Sequence, residues 1–249
     1  MKIRYHCPRC MDRNSKKNGH TKNGKQTKKC KSCNTYFVSV LDRWPVKDKV
    51  EMLKKLLLER ISLAGICRVL NICEKTLRKY MNIIFSEVPD HLNIDLAYYQ
   101  MYKTKKNKIM ITRGRVEIDE MWTFVGKKRN AVWVWIAYNP DTDEVLAFHC
   151  GDRDGESAKI LWDKIPEKIK ENSLFFTDQL AAYNLIPSHQ HIKVKGGNRV
   201  TNHVERINCT LRQRNPRLAR KSLSFSKKLD NLLSSLKYFF TCYNSGLIT

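Results

Sequence analysis

Two kinds of residue in this chain have the type and spacing for chemistry. The first is thiol: Cys7-Pro-Arg-Cys10 and Cys30-Lys-Ser-Cys33 are two C-x2-C pairs separated by 19 residues. Four soft thiolates on two tight turns close a tetrahedron around one zinc ion. The polar segment between them is too poor in apolar residues to fold unaided, so the metal supplies the folding energy. Cys7, Cys10, Cys30 and Cys33 are therefore expected to hold one structural Zn2+, with His6 and His20 outside the shell. The second kind is acidic. Asp119 sits in VEIDEMWTFVG, Asp178 follows SLFFT, and Glu205 is the one acid in a strongly basic segment. Phosphodiester chemistry uses two divalent ions about 3.5–4 Å apart to hold the attacking and leaving oxygens in line. Mg2+ or Mn2+ takes oxygen ligands and keeps several waters, so two or three carboxylates on rigid elements suffice. Such carboxylates repel one another until a cation is bound.

The elements that must position these acids follow from periodicity. Val116 to Val125 reads as a first strand and Asn130 to Asn139 as a second, rich in aromatic and β-branched residues. Pro140 to Asp143 reads as a hairpin turn, Glu144 to Cys150 as a third strand, and Ser157 to Ile169 as one helix. Ser173 to Thr177 is a short buried strand running into Asp178, and Ala181-Ala182 begin a helix. Val204, Ile207 and Leu211 make the apolar stripe of the helix that carries Glu205. Three strands in a meander, a helix and a fourth strand are the order of an RNase H-like α/β layer with a mixed sheet. In a regular strand Glu117 shares the face of Asp119 and is a spare ligand, whereas Glu120 points elsewhere. The amphipathic run Leu229 to Asn244 either covers the sheet or helps pair two copies.

Charge names the partner. The formal net charge is +23 over 249 residues, with a pI near 9.7. The segments 1–48, 49–116 and 193–228 carry +10, +8 and +10, whereas 117–192 carries −5. Basic arms around an acidic middle suit nucleic acid before an anionic membrane surface. No apolar run is long enough to span a bilayer, and MKIRYHCPRC lacks the apolar core of a secretory signal. A reducing cytoplasm is the expected location, with Cys67, Cys73, Cys150, Cys209 and Cys242 as buried or half-buried apolar side chains.

Between the two chemistries lies Val46 to Phe85. Apolar residues recur at helical spacing through Val50, Leu53 and Leu57, then Leu63, Ile66, Val69 and Leu70. Ser62 reads as an N-cap, and a break at Asn71-Ile72-Cys73 precedes a helix starting near Glu74. This is the pattern of a helix-turn-helix, with Lys75, Thr76, Arg78 and Lys79 as candidate base readers. The competing pattern is a three-helix core with a solvated basic face. The expected domains are a zinc ribbon over 1–45, a helix-turn-helix over 46–88, a linker over 89–114 containing the basic run KTKKNK, and a catalytic domain over 115–249.

The motifs IDEMWTFVGKK, FTDQLAAY, HVERINCTLRQR and RKSLSFSK, in that order from Ile118 to Lys227, resemble the DDE transposases of the insertion sequence 1 family. The cysteine pairs and helix-turn-helix resemble that family too, so the likeness covers nearly the whole chain. It implies a catalytic triad of Asp119, Asp178 and Glu205, and strand cleavage followed by 3′-OH strand transfer in the presence of two Mg2+ or Mn2+ ions. It also implies double-stranded DNA partners, both element ends and target, and a homodimer or larger assembly on DNA, with no membrane and no small-molecule substrate. The host cytoplasm would be bacterial or archaeal. Trp122 then either stacks on a base near the cut or packs in the sheet, and His203 is either an auxiliary ligand or an ordinary helix-start residue. Arg212 would hold a phosphate beside Glu205. Arg214, Arg217, Arg220, Lys221, Lys227 and Lys228 would form a track for the DNA backbone. Two other readings use the same residues: a DNA-binding regulator without catalysis, and a metal nuclease that cuts without joining.

Overall fold

The computed structural model describes residues 7–10, 12–22, 24–38, 46–96, 102–103, 109–110, 114–195, 199–218 and 224–248. Two compact units partition the chain, Met1–Glu51 and Met52–Thr249. In the first, β1 (Ser15–His20), β2 (Gln26–Cys30) and β3 (Tyr36–Val38) form an antiparallel sheet in the order β1-β2-β3. β1 is exposed, and β2 and β3 are mostly half-buried, which leaves little apolar burial to hold them. The helix α1 (Val46–Leu56) runs across the division between the units.

The second unit begins with two short helices. Ser62 caps α2 (Leu63–Leu70) by accepting a hydrogen bond from the Gly65 amide at 3.1 Å, as its position in the sequence suggests. Asn71 then takes a left-handed conformation (φ 48°), which closes α2 and turns the chain toward α3 (Glu74–Ser86). Leu77, Met81 and Ile84 bury one face of α3. Val69, expected in the apolar stripe of α2, is 54 % exposed: α2 buries Gly65, Ile66 and Leu70, and Val69 falls off that face. After a two-stranded pair, β4 (Tyr102–Lys103) with β5 (Ile109–Met110), the main sheet begins.

That sheet has five strands in the order β10-β9-β6-β7-β8. β6 (Gly114–Phe124), β7 (Ala131–Asn139) and β8 (Glu144–Gly151) form the antiparallel meander. β9 (Ser173–Thr177) lies parallel to β6, and β10 (His191–Lys193) lies parallel to β9. The central strand thus has an antiparallel neighbour on one side and a parallel one on the other, the arrangement of an RNase H-like sheet. The turn at Pro140–Asp143 forms as its composition suggests, with Asp143 left-handed at φ 57°.

Two departures from expectation have plain causes. The helix expected over 157–169 is two, α4 (Gly155–Lys164) and α5 (Glu167–Glu171). Pro166 cannot continue a helix and forces the preceding Ile165 to extended geometry (ψ 128°). The strand β10 is only three residues long and largely exposed, so it carries no apolar alternation to read. The segment at Ala181 is a short 3-10 helix, Ala181–Leu185.

The sheet buries both faces. On one, Val116, Ile118 and Trp135 pack with Ala158 and Leu161 of α4, with Ile165 just after it, and with Tyr183. The other is covered by α6 (Asn202–Arg214) and α7 (Leu229–Asn244). α7 buries Leu232, Leu236, Phe239 and Phe240, with Phe240 set 5.1 Å from Phe148 of β8 and Tyr238 set 5.8 Å from Phe85 of α3. Covering the sheet is thus one job of the C-terminal amphipathic run. No described helix is long and apolar enough to cross a membrane.

Candidate metal centre and nucleic-acid interface

The four thiols come together as the spacing requires. Cys7 Sγ lies 3.5 Å from Cys33 Sγ, Cys10 Sγ lies 3.5 Å from Cys30 Sγ, and all four ligand atoms lie within 4.8 Å of one another. Zn–S bonds of about 2.3 Å at tetrahedral angles set sulfur atoms about 3.8 Å apart, so the donor set fits zinc. The Cys30 amide donates to the Thr35 carbonyl at 2.9 Å and the Cys7 amide to that of Asp12 at 2.8 Å, which closes a turn after each pair. Hydrogen bonds from the side chain and backbone of Thr35 bring the Cys33 thiol down to about 6, favouring the thiolate that a metal needs. A four-cysteine set on three short strands fits a zinc ribbon and could hold one zinc ion. His20 is exposed on β1 and His6 lies outside the described residues.

The other five cysteines divide. Cys150 and Cys242 are buried and Cys67 is half-buried, but Cys73 and Cys209 are exposed. Cys73 stands at the N-cap of α3, where the chain is turning, and Cys209 follows Asn208 onto the outward side of α6.

The period of two along β6 decides where the acids point. Asp119 pairs across the sheet with Ile136 and Glu120 with Trp135, so adjacent acids face opposite sides. Asp119 faces α6, where Asn208 Nδ2 donates to its Oδ2 at 2.7 Å. Its carboxyl is pushed up to about 7. Burial is the largest cause and the charge of Glu120 the next, opposed by a backbone hydrogen bond, with Glu205 and Asp178 raising it further. Asp119 on β6 therefore feels Asp178, just after β9, and Glu205, in the first turn of α6. Asp178 and Glu205 are exposed. Asp178 Oδ1 accepts from the Leu180 amide at 2.8 Å, tying the turn that follows β9. The three carboxylates do not share the tight mutual spacing of the four cysteines, the one such group among the described residues.

Glu117 shares the face of Asp119 but its oxygens are already engaged. It is fully buried and accepts from the His203 amide at 3.1 Å, the Val204 amide at 3.0 Å and the His203 imidazole at 2.9 Å, with Arg115 Nη2 at 2.8 Å. It caps the N-terminus of α6, whose N-cap residue Thr201 makes no side-chain cap. Glu117 thereby docks the helix carrying Glu205 onto the strand carrying Asp119. His203 takes part in that cap.

On the opposite face, Glu120 accepts from Arg153 Nε at 2.8 Å and from the Tyr183 hydroxyl at 2.6 Å. Arg153 stacks 4.7 Å over Trp133 and feels the charge of Asp178. Sequence reasoning missed Arg153, which has no motif around it. It also missed Asn208, for which the signal existed: an amide three residues after Glu205 lies on the same side of the helix.

The basic candidates are scattered over several elements. On α3, Lys75, Arg78 and Lys79 are exposed and Thr76 is half-buried, its Oγ1 lying 3.2 Å from Cys73 Sγ. Arg78 Nε donates to Glu74 at 3.0 Å. Arg214 pairs with Glu59 at 3.3 Å, and Arg217 donates to Ser226 Oγ at 3.1 Å. Burial and the neighbouring charge of Arg78 push the Arg217 guanidinium down, so Arg217 lies on the α3 side of this unit. Arg212 is half-buried, Lys227 and Lys228 are exposed, and Arg220, Lys221 and the run KTKKNK from 104 onward lie outside the described residues. Trp122 is 42 % exposed, with its ring 5.8 Å from Phe124.

Residues 112–237 match the family described as IS1 transposase. The chain belongs to the IS1 transposase family. The match takes in the RNase H-like sheet, Asp119, Asp178, Glu205 and Arg212. Among similar proteins, the insertion element iso-IS1n protein InsB of Shigella dysenteriae is 37 % identical over 116 residues, 46 % of this chain and 84 % of that protein. The insertion element IS1 protein InsB of Shigella flexneri is 34 % identical over 115 residues, 46 % and 84 % of the two chains. The insertion element IS1 4 protein InsB of Escherichia coli K12 is 33 % identical over 115 residues, 46 % and 66 %. Membership of this family marks the chain as an enzyme acting on DNA.

Proposed function

We infer that this transposase binds the terminal repeats of an insertion sequence, cleaves a strand at each end, and joins the resulting 3′-OH to target DNA. The observation that carries this reading is Asp119: a half-buried strand carboxylate, held by α6, whose proton affinity is raised first by burial and Glu120 and further by Glu205 and Asp178. Mutual repulsion among three acids in a chain of net charge +23 is a cost without a purpose unless a cation is to be held. Asp119, Asp178 and Glu205 supply the hard oxygen donors that Mg2+ or Mn2+ prefers, so the residues fit the ions. Two such ions, when bound, would activate a water for hydrolysis and steady the attacking and leaving oxygens. Asp178 and Glu205 present exposed carboxyls to such ions, while Asp119 is held by Asn208.

The remaining roles belong to the chain's own side chains. Lys75, Thr76, Arg78 and Lys79 on α3 would read the element ends, the domain 46–88 acting as a helix-turn-helix with the zinc ribbon 1–45 before it and the linker 89–114 after it. Trp122 offers an exposed ring for stacking on an unpaired base. Arg212 would hold a phosphate beside Glu205, and Arg214, Arg217, Arg220 and Lys221 would follow the backbone, with Lys227 and Lys228 continuing the track. Two element ends must be brought together, so the working species on DNA is a homodimer or larger, acting wherever the host keeps its DNA. The test uses the full chain with labelled DNA from both flanks of its gene, with Mg2+ or EDTA. Joined products in Mg2+ alone support transposition. Cleavage without joining would make the protein a nuclease, and binding without either would make it a regulator.

A further inference from the structure

Asn208 lies three residues beyond Glu205, on the same side of α6. It is 7 % exposed, and its Nδ2 donates to Asp119 Oδ2 at 2.7 Å. Its own Oδ1 is buried and has no hydrogen-bond partner among the described residues. The amide is oriented with Nδ2 toward Asp119, and Oδ1 is turned away from it. A buried amide oxygen left without a donor is expensive, and an apolar side chain of similar size would fill the same space without that cost. The amide is therefore unexplained by packing alone.

We propose that Asn208 is a positioning residue of the acidic site, holding Asp119 through Oδ2 so that the other oxygen of that carboxylate is left for a bound divalent cation. This rests on the reading of Asp119, Asp178 and Glu205 as cation ligands. The amide fixes one Asp119 oxygen and leaves the second for the cation. Residues that orient a metal ligand typically change metal affinity about 10–100-fold when removed.

The test compares full-length wild type, Asn208→Ala and Asn208→Asp by two readouts. One is the rise in unfolding temperature on titrating Mg2+ alone. The other is the Mg2+ concentration giving half-maximal cleavage of flank DNA, with DNA binding in EDTA as the measure of integrity. Asn208→Ala should bind DNA in EDTA yet need about ten-fold more Mg2+ or greater in both titrations. Asn208→Asp sets a second carboxylate against Asp119. It should unfold at a lower temperature than wild type without metal and gain more than wild type when Mg2+ is added. If the alanine variant does not fold, the aspartate variant, which conserves shape, decides. Wild-type Mg2+ midpoints in Asn208→Ala, or an unchanged Mg2+ response in Asn208→Asp, would overturn the role. A wild type whose stability and cleavage ignore Mg2+ would overturn the acidic site itself, and this inference with it.

Discussion

Replacing Asp119 by Asn should make the metal-free protein more stable while removing its chemistry. The carboxyl titrates near 3.8 in an unfolded chain and near 7 in the fold, so the folded state binds its proton more tightly. A raised pKa contributes stability that is fully present below the unfolded value. That contribution fades as pH rises, and is lost above about 7. The full difference corresponds to about 4 kcal/mol, since each pH unit is worth about 1.4 kcal/mol. Asp119 is only partly buried, and water screens it, so an effect of about 1–2 kcal/mol is expected. For a unit of this size that is a rise of roughly 3–6 °C in unfolding temperature at pH 8. Asparagine keeps the shape and can still accept from Asn208. Thermal unfolding of wild type and Asp119→Asn in EDTA, from pH 4 to pH 8, measures the difference with other titrating groups cancelled. The gap should be near zero at pH 4 and open through pH 7. Saturating Mg2+ should then stabilise wild type by about 2.7 kcal/mol at 100 times its dissociation constant, and the variant by much less. A variant no more stable at pH 8, or a gap of the same size at every pH, would refute the claim that burial and the neighbouring carboxylates strain an ionised Asp119.

Three further outcomes follow from the geometry. Purified protein should carry one zinc per chain by elemental analysis, and Cys30→Ser should lose both the metal and the amide protection of β1–β3, leaving the main sheet protected in hydrogen exchange. Glu117→Ala should destabilise the second unit by roughly 3 kcal/mol in a urea titration, because it removes a buried charge that caps α6 and pairs with Arg115. Lys75→Ala and Lys79→Ala should each weaken binding to element-end DNA and lower the salt slope by about one, whereas Arg78→Ala should do less because Glu74 already engages its guanidinium.

How much of this was legible in the sequence depends on the range of the interaction. The four-cysteine set could be read because each pair is a local turn and the chemistry of sulfur does the rest. Strands β6 to β9 could be read as buried runs of aromatic and β-branched residues between turns, and helix α6 from apolar residues at a period of 3.6. The alternation of side chains along any strand is enough to put Asp119 and Glu120 on opposite faces. The break at Pro166 was masked by Ile165 and Ile169, which keep helical spacing across it although Ile165 is the extended residue after α4 and Ile169 lies in α5. Glu117 could not be read at all. Its face was predictable, but its engagement by His203, Val204 and Arg115 depends on where α6 docks, with the His203 amide 86 residues later in the chain. For the same reason nothing in the sequence announced that Arg153 would reach Glu120 from beyond β8.

The most direct measurement is strand cleavage and joining on DNA from both flanks of the gene, with wild type, Asp119→Asn, Asp178→Asn and Glu205→Gln side by side in Mg2+. Wild type should cut and join, and each variant should lose both steps while keeping wild-type binding to the element ends. Any one of the three variants retaining cleavage near the wild-type rate would contradict a single site built from these three carboxylates.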